Sequence, residues 1–524
     1  MKILIITGLL AKETIIQNIK TYKKHEIYLK SINTPIAAFI TNNMIINTLK
    51  KEETLYSINT NKTTNINYID LILTPGLTRQ DTKKIKNTIK KQTYKGPSNA
   101  ADIKITLDII EKTELSTTKP ADKYIIEQQE KQALKTITEY EEDNKPLQKP
   151  NNTLIGNCKI GSDYPMRILS EIPNAPQLNE KELHNKIQHY INSGADMIDI
   201  GMYAGENHPK EAYSLIKTVK ENYDIPVSID TLNPEEIKEA IKAEVDLVLS
   251  LDHGNYKKTL PLLEDTQTSA VILPTNYKKG IIPQTPKEKI ISLEKLENKC
   301  KNITVIADPI LDPINSNSTT ESIITCFNYK KRNPNTLLFF GVGNVTELLD
   351  SDSNGVNAVL SGIGMEIGVN ILFTPEASKK TYNSVKELKT ASNMMFLSKI
   401  KNTIPKNLGL NLITLKDSFN KEDIHIDTSN ISHITAKSDG FFLPDRKGSF
   451  KIIVEDNKIK AIQYNKFTPI LVIESKTARA MYEELIRRNL VSRLEHAAYL
   501  GMELEKAEIA LKLGKKYMQD FEIF

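Results

Sequence analysis

Cysteine is scarce: Cys158, Cys300 and Cys326 are the only three in 524 residues. Their separations match neither a metal-ligand spacing nor a disulfide framework, which excludes a stapled secreted scaffold and suits a reducing compartment. Long apolar runs are missing too. Nothing approaches the roughly 20 residues that span a bilayer. The opening MKILIITGLL carries one lysine, is followed at once by charged and polar residues, and shows no small-residue cleavage site, so it reads as a buried strand and not as a secretory signal. Charge of one sign is lacking: the net charge is +5 and the basic residues form no arm or stripe, so no nucleic-acid partner is expected. The histidines (His25, His184, His189, His208, His253, His425, His433 and His496) show no ligand spacing. Thr7-Gly8 opens like a nucleotide-binding loop, yet no glycine-rich fingerprint follows and a tight turn accounts for it. These absences leave a cytoplasmic protein, without nucleic acid or membrane, whose partners are small molecules.

What is present is an ordered series of apolar runs. The chain exceeds one ordinary core, so several domains are expected. Residues 1–112 read as a small α/β, Rossmann-like domain, with strands at Lys2–Ile6, Glu26–Leu29, Ile36–Ile40 and Tyr68–Leu73 and a helix over Ala101–Glu111. Residues 113–150 turn to Glu, Lys, Gln and Thr and read as a charged helical linker, with a helix at Ala121–Tyr140. From 151 to 400 a strand–helix period repeats. Strands are predicted at Ile168–Ile172, Met197–Ile200, Val227–Asp230, Leu247–Leu251, Ala270–Leu273, Thr304–Asp308, Leu337–Gly341 and Asn370–Thr374, each followed by a helical pattern, the last over Glu376–Phe396. Continuous apolar strands alternating with amphipathic helices make a parallel sheet buried on both faces, and eight near-equal repeats favour closure into a (β/α)8 TIM barrel over an open sheet. Residues 401–524 read as a C-terminal α+β domain: strands at Phe450–Val454, Lys460–Gln463 and Pro469–Ile473, then helices Thr477–Arg488 and Ser492–Leu513.

In such a barrel the chemistry sits at the C-terminal ends of the strands. The polar residues there are Asp199, Asp230 with Thr231, Ser250, Asp252 with His253, Asn276, Asp308 and Asn344. Carboxylates and amides with no histidine cluster suit a neutral planar ring rich in N–H donors, because a carboxylate can accept two parallel N–H bonds and an amide serves mixed donors and acceptors. Two other uses stay open. Asp199 and Asp252 could cap helices or bond loop amides, and the acids could hold Mg2+ for a phosphate substrate.

Four segments carry a family resemblance. GADMIDIG, PVSIDT and VIADP resemble the pterin-binding barrel shared by dihydropteroate synthases and pterin-dependent methyltransferases, and FFGVGNVTELLD is similar to the strand-seven loop of the methyltransferase branch. With the leading α/β domain and the tail SRLEHAAYLGMELEKAEIALKLG, the chain most resembles the archaeal dihydropteroate synthase-like proteins of methanogens. The resemblance implies a transferase of tetrahydromethanopterin or folate-type cofactor synthesis that joins a hydroxymethyl-dihydropterin diphosphate to an arylamine. It implies that Asp230 and Asp308 hold the pterin edge as catalytic groups, that Asn344 binds the ring, and that Ser250 stands where the family commonly places an Asn. Asp199, Asp252 and Asn276 complete the expected substrate-binding set, with Mg2+ as an expected ion and a homodimer as the family-like assembly.

The departures concern the anion-binding parts. The Asn-Val-Thr-Pro-Asp-Ser-Phe loop after strand one is replaced by ILSEIPNAPQL, which offers Glu171 and Asn174. The basic motif after strand seven is replaced by GVGN, and Arg-x-His on strand eight by LFTPEASKK. Arg167, Lys278, Lys279, Lys379 and Lys380 are the candidate substitutes for the diphosphate. A methyltransferase-like activity and a non-catalytic pterin-binding role are the alternative expectations.

Overall fold

A computed structural model of the chain describes residues 1–60, 62–415, 429, 431–437 and 443–523. Two compact units emerge, one of Met1–Glu142 with Leu397–Ser432 and one of Asp143–Phe396 with His433–Phe524. Part of the segment expected to begin the C-terminal domain, and His425 with it, lies outside the described residues.

The first unit contains a four-stranded parallel sheet in the order Glu26–Ser31, Lys2–Thr7, Leu71–Thr74, Gln92–Lys95. Ile3 and Ile5 pack on one face and Leu4 and Ile6 on the other, the two-sided burial that a parallel sheet demands. One expected strand is corrected. Ile36–Ile40 is not a strand: Ala37–Phe39 forms a short 3-10 turn after Pro35, with Ile36 and Phe39 exposed. The run turns after Pro35 so that Ile36 and Phe39 face solvent while Ile40 reaches the core beside Leu4 and Ile6. The edge strand is instead Gln92–Lys95, whose mostly polar sequence hides it. The charged segment also departs from a detached linker, since helix Ala121–Glu142 inserts Ala121 and Ile125 into the core beside Ile3 and Leu107.

In the second unit eight parallel strands close into a barrel: Arg167–Ile172, Met197–Gly201, Val227–Asp230, Leu247–Leu251, Ser269–Ile272, Val305–Ala307, Leu337–Gly341 and Ile371–Pro375. They are called barrel strands one to eight below. Strand eight returns to strand one with Leu372 opposite Ile168. These bounds match the predicted ones to within one residue at either end. The barrel is a (β/α)8 TIM barrel, with a C-terminal antiparallel sheet appended.

Alternation along each strand sorts the side chains. Ile168, Ile198, Ile200, Ile229 and Phe340 point outward to the helices, while Leu169, Met197, Leu249, Val271, Ile306, Phe339 and Ile371 fill the interior. The helices start where the sequence supplies caps. Asn179–Glu182 and Thr285–Glu288 form capping boxes, and Pro209, Pro234 and Pro286 occupy first-turn positions. The eighth helix begins at Ser384, later than expected, because a 3-10 turn at Lys379–Thr381 takes up the intervening chain.

A hairpin of Asn152–Ile155 and Cys158–Gly161 precedes strand one and inserts Ile155 and Ile160 into the interior cluster. Its turn at Gly156 lies against Pro226 and Asp246, which lead into strands three and four, so it plugs the N-terminal end. The interior is therefore open to a ligand only at the C-terminal end. Past the barrel, Ser449–Glu455, Lys458–Asn465 and Thr468–Ser475 form an antiparallel sheet on which helices Ala478–Arg487 and Leu494–Leu513 pack through Met481, Leu485, Leu500 and Leu504. Among the described residues no helix is long and apolar enough to cross a membrane.

Ile160 is fully buried. Ile160→Ala is expected to destabilise the protein by about 2–4 kcal/mol through the lost transfer energy and the cavity left behind. A clear drop in unfolding temperature by calorimetry would bear this out; an unchanged transition would show that the hairpin does not seal the barrel.

Candidate functional site

The same alternation that fills the interior aims four carboxyl groups at its open end. Glu171 lies two residues beyond inward Leu169, and Asp199 two beyond inward Met197. Asp230 lies one residue beyond outward Ile229, and Asp308 two beyond inward Ile306. Asp199 pairs in register with Glu171 on one side and Ser228 on the other, and Asp230 pairs with Gly201. Glycine at 201 is required by space. A Cβ there would sit 2.7 Å from Glu171 Oε1, so the Glu171 carboxylate leans over the bare backbone toward strand three. One oxygen from each of Glu171, Asp199 and Asp230 lies within 4.8 Å of the others.

Asp199 is fully buried. Its Oδ1 accepts a hydrogen bond from Ser228 Oγ at 2.5 Å, and its Oδ2 is buried with no partner. Burial, then the charges of Asp230 and Glu171, hold its proton affinity well above the usual carboxylate range. Glu171 is pushed up to about 8 by burial, with Asp230 and Glu347 adding to the effect. Burial also raises Asp230 to about 6. Asp308 reaches about 7 through burial; the Ile310 amide and Lys289 pull it down, and Asp230 raises it further. The charge of Asp230 thus reaches Asp308. Like charges gathered in a site of low dielectric cannot all ionise together, so the group shares protons or takes up a cation.

The surroundings fix these acids in place. Thr231, next to Asp230, donates to buried Glu236, which also accepts from the His208 amide. Asp308 Oδ1 accepts from the Ile310 amide at 2.8 Å, and behind it Lys289 pairs with Asp312 at 2.6 Å.

Other expected site residues behave differently. Asp252 is buried and saturated: Oδ1 accepts from the Gly254 and Asn255 amides, and Oδ2 from Thr275 Oγ1 and the Tyr277 amide. All its acceptor positions serve the loop, so it organises that loop and offers nothing to a ligand. Asn276 turns inward on its own loop, where its Oδ1 accepts from the Lys279 amide. Ser250 is buried near the end of strand four. Asn344 is exposed after strand seven, and its Nδ2 donates to the Leu311 carbonyl, tying loop seven to loop six. Among the candidate diphosphate cations, Arg167 is corrected: it starts strand one at the plugged end, bonded to the Lys159 carbonyl and paired with Asp196. Lys380 pairs with Asp350, while Lys278, Lys279 and Lys379 are exposed on loops five and eight. Glu171 is the residue missed as a site member. Its signal was available: an acid two places beyond an inward leucine, near the C-terminal end of a barrel strand.

The closed barrel is of the pterin-binding, dihydropteroate synthase-like fold type. The family described as pterin binding enzyme matches residues 174–318, and a second, PterinBD-DUF4346, matches residues 444–520 in the C-terminal sheet and helices. The chain belongs to the same family as the Methanocaldococcus jannaschii protein MJ0107, with which it is 45% identical over 534 aligned positions covering 100% of this chain and 99% of that one. A dihydropteroate synthase of Clostridium beijerinckii is 31% identical over 99 residues, 16% of this chain and 37% of its own length. Among solved structures, Xanthomonas albilineans dihydropteroate synthase aligns at 14% identity and a TM-score of 0.39, covering 49% of this chain and 99% of that chain. The Thermus thermophilus enzyme aligns at 16% and 0.37, covering 46% and 96%.

The raised acids generate a pH prediction. Between the ordinary Glu value of 4.5 and its folded value of about 8, Glu171 stays protonated in the native state and ionises in the unfolded chain. The folded state then binds more protons, so its stability declines as pH rises through that window. Glu171→Gln, a permanent mimic of the protonated form, is expected to gain on the wild type steadily from pH 5 to pH 8 when unfolding is followed in chelator-containing buffer. Parallel stability curves would show that Glu171 is not held protonated.

Proposed function

We propose that the barrel binds a dihydropterin at the acid-lined mouth and alkylates an arylamine with it, in tetrahydromethanopterin or folate-type cofactor synthesis. What supports this is the placement of Asp230 at the end of strand three and Asp308 just past the end of strand six, both at the C-terminal end of one closed barrel and within the segment matching pterin binding enzymes. Each carboxyl group can face the N–H-rich edge of an amino-pyrimidinone ring. Asp308, held near 7, exchanges a proton near neutrality and can donate as well as accept.

In this reaction the arylamine nitrogen forms a bond to the exocyclic methylene carbon as the C–O bond to the diphosphate breaks. The diphosphate leaves with the bonding electron pair, and the amine gives up a proton. Positive charge that develops on the pterin is stabilised by the fixed carboxylates, a contribution that needs no reorganisation at the moment of reaction. Glu171 and Asp199 bound the same hollow on the side of strands one and two. The similarity to dihydropteroate synthases supports the choice of reaction, and the M. jannaschii relative supports the archaeal setting. Mg2+ and a homodimer belong to the same proposal.

A second reading is favoured by the cations. With Arg167 at the plugged end and Lys380 paired, Lys278, Lys279 and Lys379 are what remains of the candidate diphosphate anchors. A pterin-binding protein without the diphosphate step, methyltransferase-like or non-catalytic, uses the same ring site. The two separate on one experiment. Incubation with hydroxymethyl-dihydropterin diphosphate and either p-aminobenzoate or its ribosyl phosphate derivative is expected to release pyrophosphate. Ring binding without release would remove the transferase reading and leave the second. Asp230→Asn and Asp308→Asn are each expected to weaken pterin binding by about 1–3 kcal/mol, tenfold to a hundredfold, in a fluorescence titration. Unchanged affinity in both would place the ring elsewhere.

A further inference from the structure

We propose that the C-terminal domain latches loop eight of the barrel, with Gly514 at the end of its last helix as the seat for Tyr382, and so governs how freely the rim beside barrel strands eight and one can open. Helix Leu494–Leu513 closes on Gly514 in the left-handed region, at φ +66°. A Cβ there would lie 2.2 Å from Tyr382 Cδ1, 2.6 Å from Cε1 and 3.3 Å from Asn383 Nδ2, so the tyrosine ring rests on bare backbone. The backbone angle alone would accept asparagine as well as glycine. The ring excludes every side chain.

The other side of the ring is occupied too. Tyr382 stacks on His189 of helix Glu180–Ser193, with centroids 5.5 Å apart and planes inclined by 14°. His189 Nε2 lies 2.8 Å from Glu376 Oε2, on a side chain only 5% exposed. Glu376 follows strand eight, and its Oε1 accepts from the Val385 amide, so it joins the two ends of the loop. Its own amide donates to Tyr190 Oη, which in turn donates to the Glu171 carbonyl. One continuous set of contacts therefore runs from the end of the C-terminal helix to the backbone of strand one.

A separate observation puts the domain on the same rim. Asp456, in the first turn of the C-terminal sheet, is held below the ordinary carboxylate range by Lys460 first, and the charge of Lys181 reaches it as well. Lys181 opens helix Glu180–Ser193, and the helices of such a barrel start at its mouth end. Glu347 of loop seven secures the first half of loop eight by accepting from the Ala377 amide and the Thr381 hydroxyl. The second half, Tyr382 and Asn383 at φ +71°, meets the Gly514 seat. Loop eight also carries Lys379 and Lys380, so the latch sets how these cations are presented beside the mouth. Gly514 is thus a positioning residue for the barrel, supplied by the appended domain. The inference goes beyond the pterin reading and does not rest on it.

The test uses the full chain and no ligand. Trypsin under native conditions reaches Lys379 and Lys380 as loop eight opens, and mass spectrometry identifies the cut. Gly514→Ala and Tyr382→Ala are each expected to speed this cleavage about tenfold, because proteolysis follows the population of the open form. The double variant should match the faster single one, since both substitutions remove one contact. Tyr382→Phe, which keeps the ring, should be cut as the wild type is. So should Gly501→Ala on the same helix, where a Cβ would meet nothing within 4 Å. Because the chain contains no tryptophan, Tyr382→Trp supplies a single reporter on the latch. Its emission should move to longer wavelength when Gly514→Ala is added and stay unchanged with Gly501→Ala, a signature that a general loss of stability does not produce below the unfolding transition. Wild-type cleavage rates in both Gly514→Ala and Tyr382→Ala would overturn the proposal, as would effects that multiply in the double variant or an emission unmoved by Gly514→Ala. Ring binding enters none of these readouts, so the pterin proposal can fail while the latch holds, and the reverse.

Discussion

The structure turns on the cost of holding carboxyl groups inside a barrel. A closed parallel sheet gives each strand only an inward and an outward face, and a side chain two residues beyond an inward apolar one must itself face in. Glu171, Asp199 and Asp308 follow that rule, and Asp230 follows it by parity with outward Ile229. Once these acids are inside, water cannot solvate them fully. Three of the four have no basic partner among the described residues, and only Asp308 feels a lysine, Lys289. The fold accepts that cost at one end of the barrel and seals the other with an apolar hairpin, so polarity and access coincide at a single mouth.

Much of this was legible in the residues, for a physical reason. Parallel strands buried on both faces leave continuous apolar runs, and caps and first-turn prolines mark where helices begin, so the strand limits of the barrel could be read to within a residue. Asp230 and Asp308 stood out because they close apolar runs. The misreadings share a different cause. Asp252 sits just past a strand end, as a ligand group would, yet four loop donors claim it. Arg167 immediately precedes the expected strand Ile168–Ile172, so the strand bounds alone already put it at the N-terminal end, away from the mouth. Ile36–Ile40 has the composition of a strand but forms a 3-10 turn after Pro35 that leaves Ile36 and Phe39 exposed and buries Ile40, and Gln92–Lys95 is a strand without the composition. Local pattern reports burial well and reports hydrogen-bond partners poorly, because partners come from loops that meet only in three dimensions.

The flanking parts fit the same logic of two-sided burial. The charged segment after residue 112 contributes Ala121 and Ile125 to a core, which composition alone concealed. The C-terminal sheet uses strict alternation, with Phe450, Ile452, Ile459 and Ala461 facing its helices, and it is the part matched by a family of its own. The M. jannaschii protein aligns along the whole length of this chain, the C-terminal part included.

The central claim is that Asp230 and Asp308 face one hollow and hold one flat, amine-bearing ring. A crystal structure of the full chain soaked with 6-hydroxymethylpterin tests it most directly. The account predicts ring density between barrel strands three and six, with the carboxyl groups of both aspartates within hydrogen-bonding distance of ring nitrogens. Ring density bound elsewhere on the chain, or the two carboxyl groups lying in separate hollows with backbone between them, would contradict it.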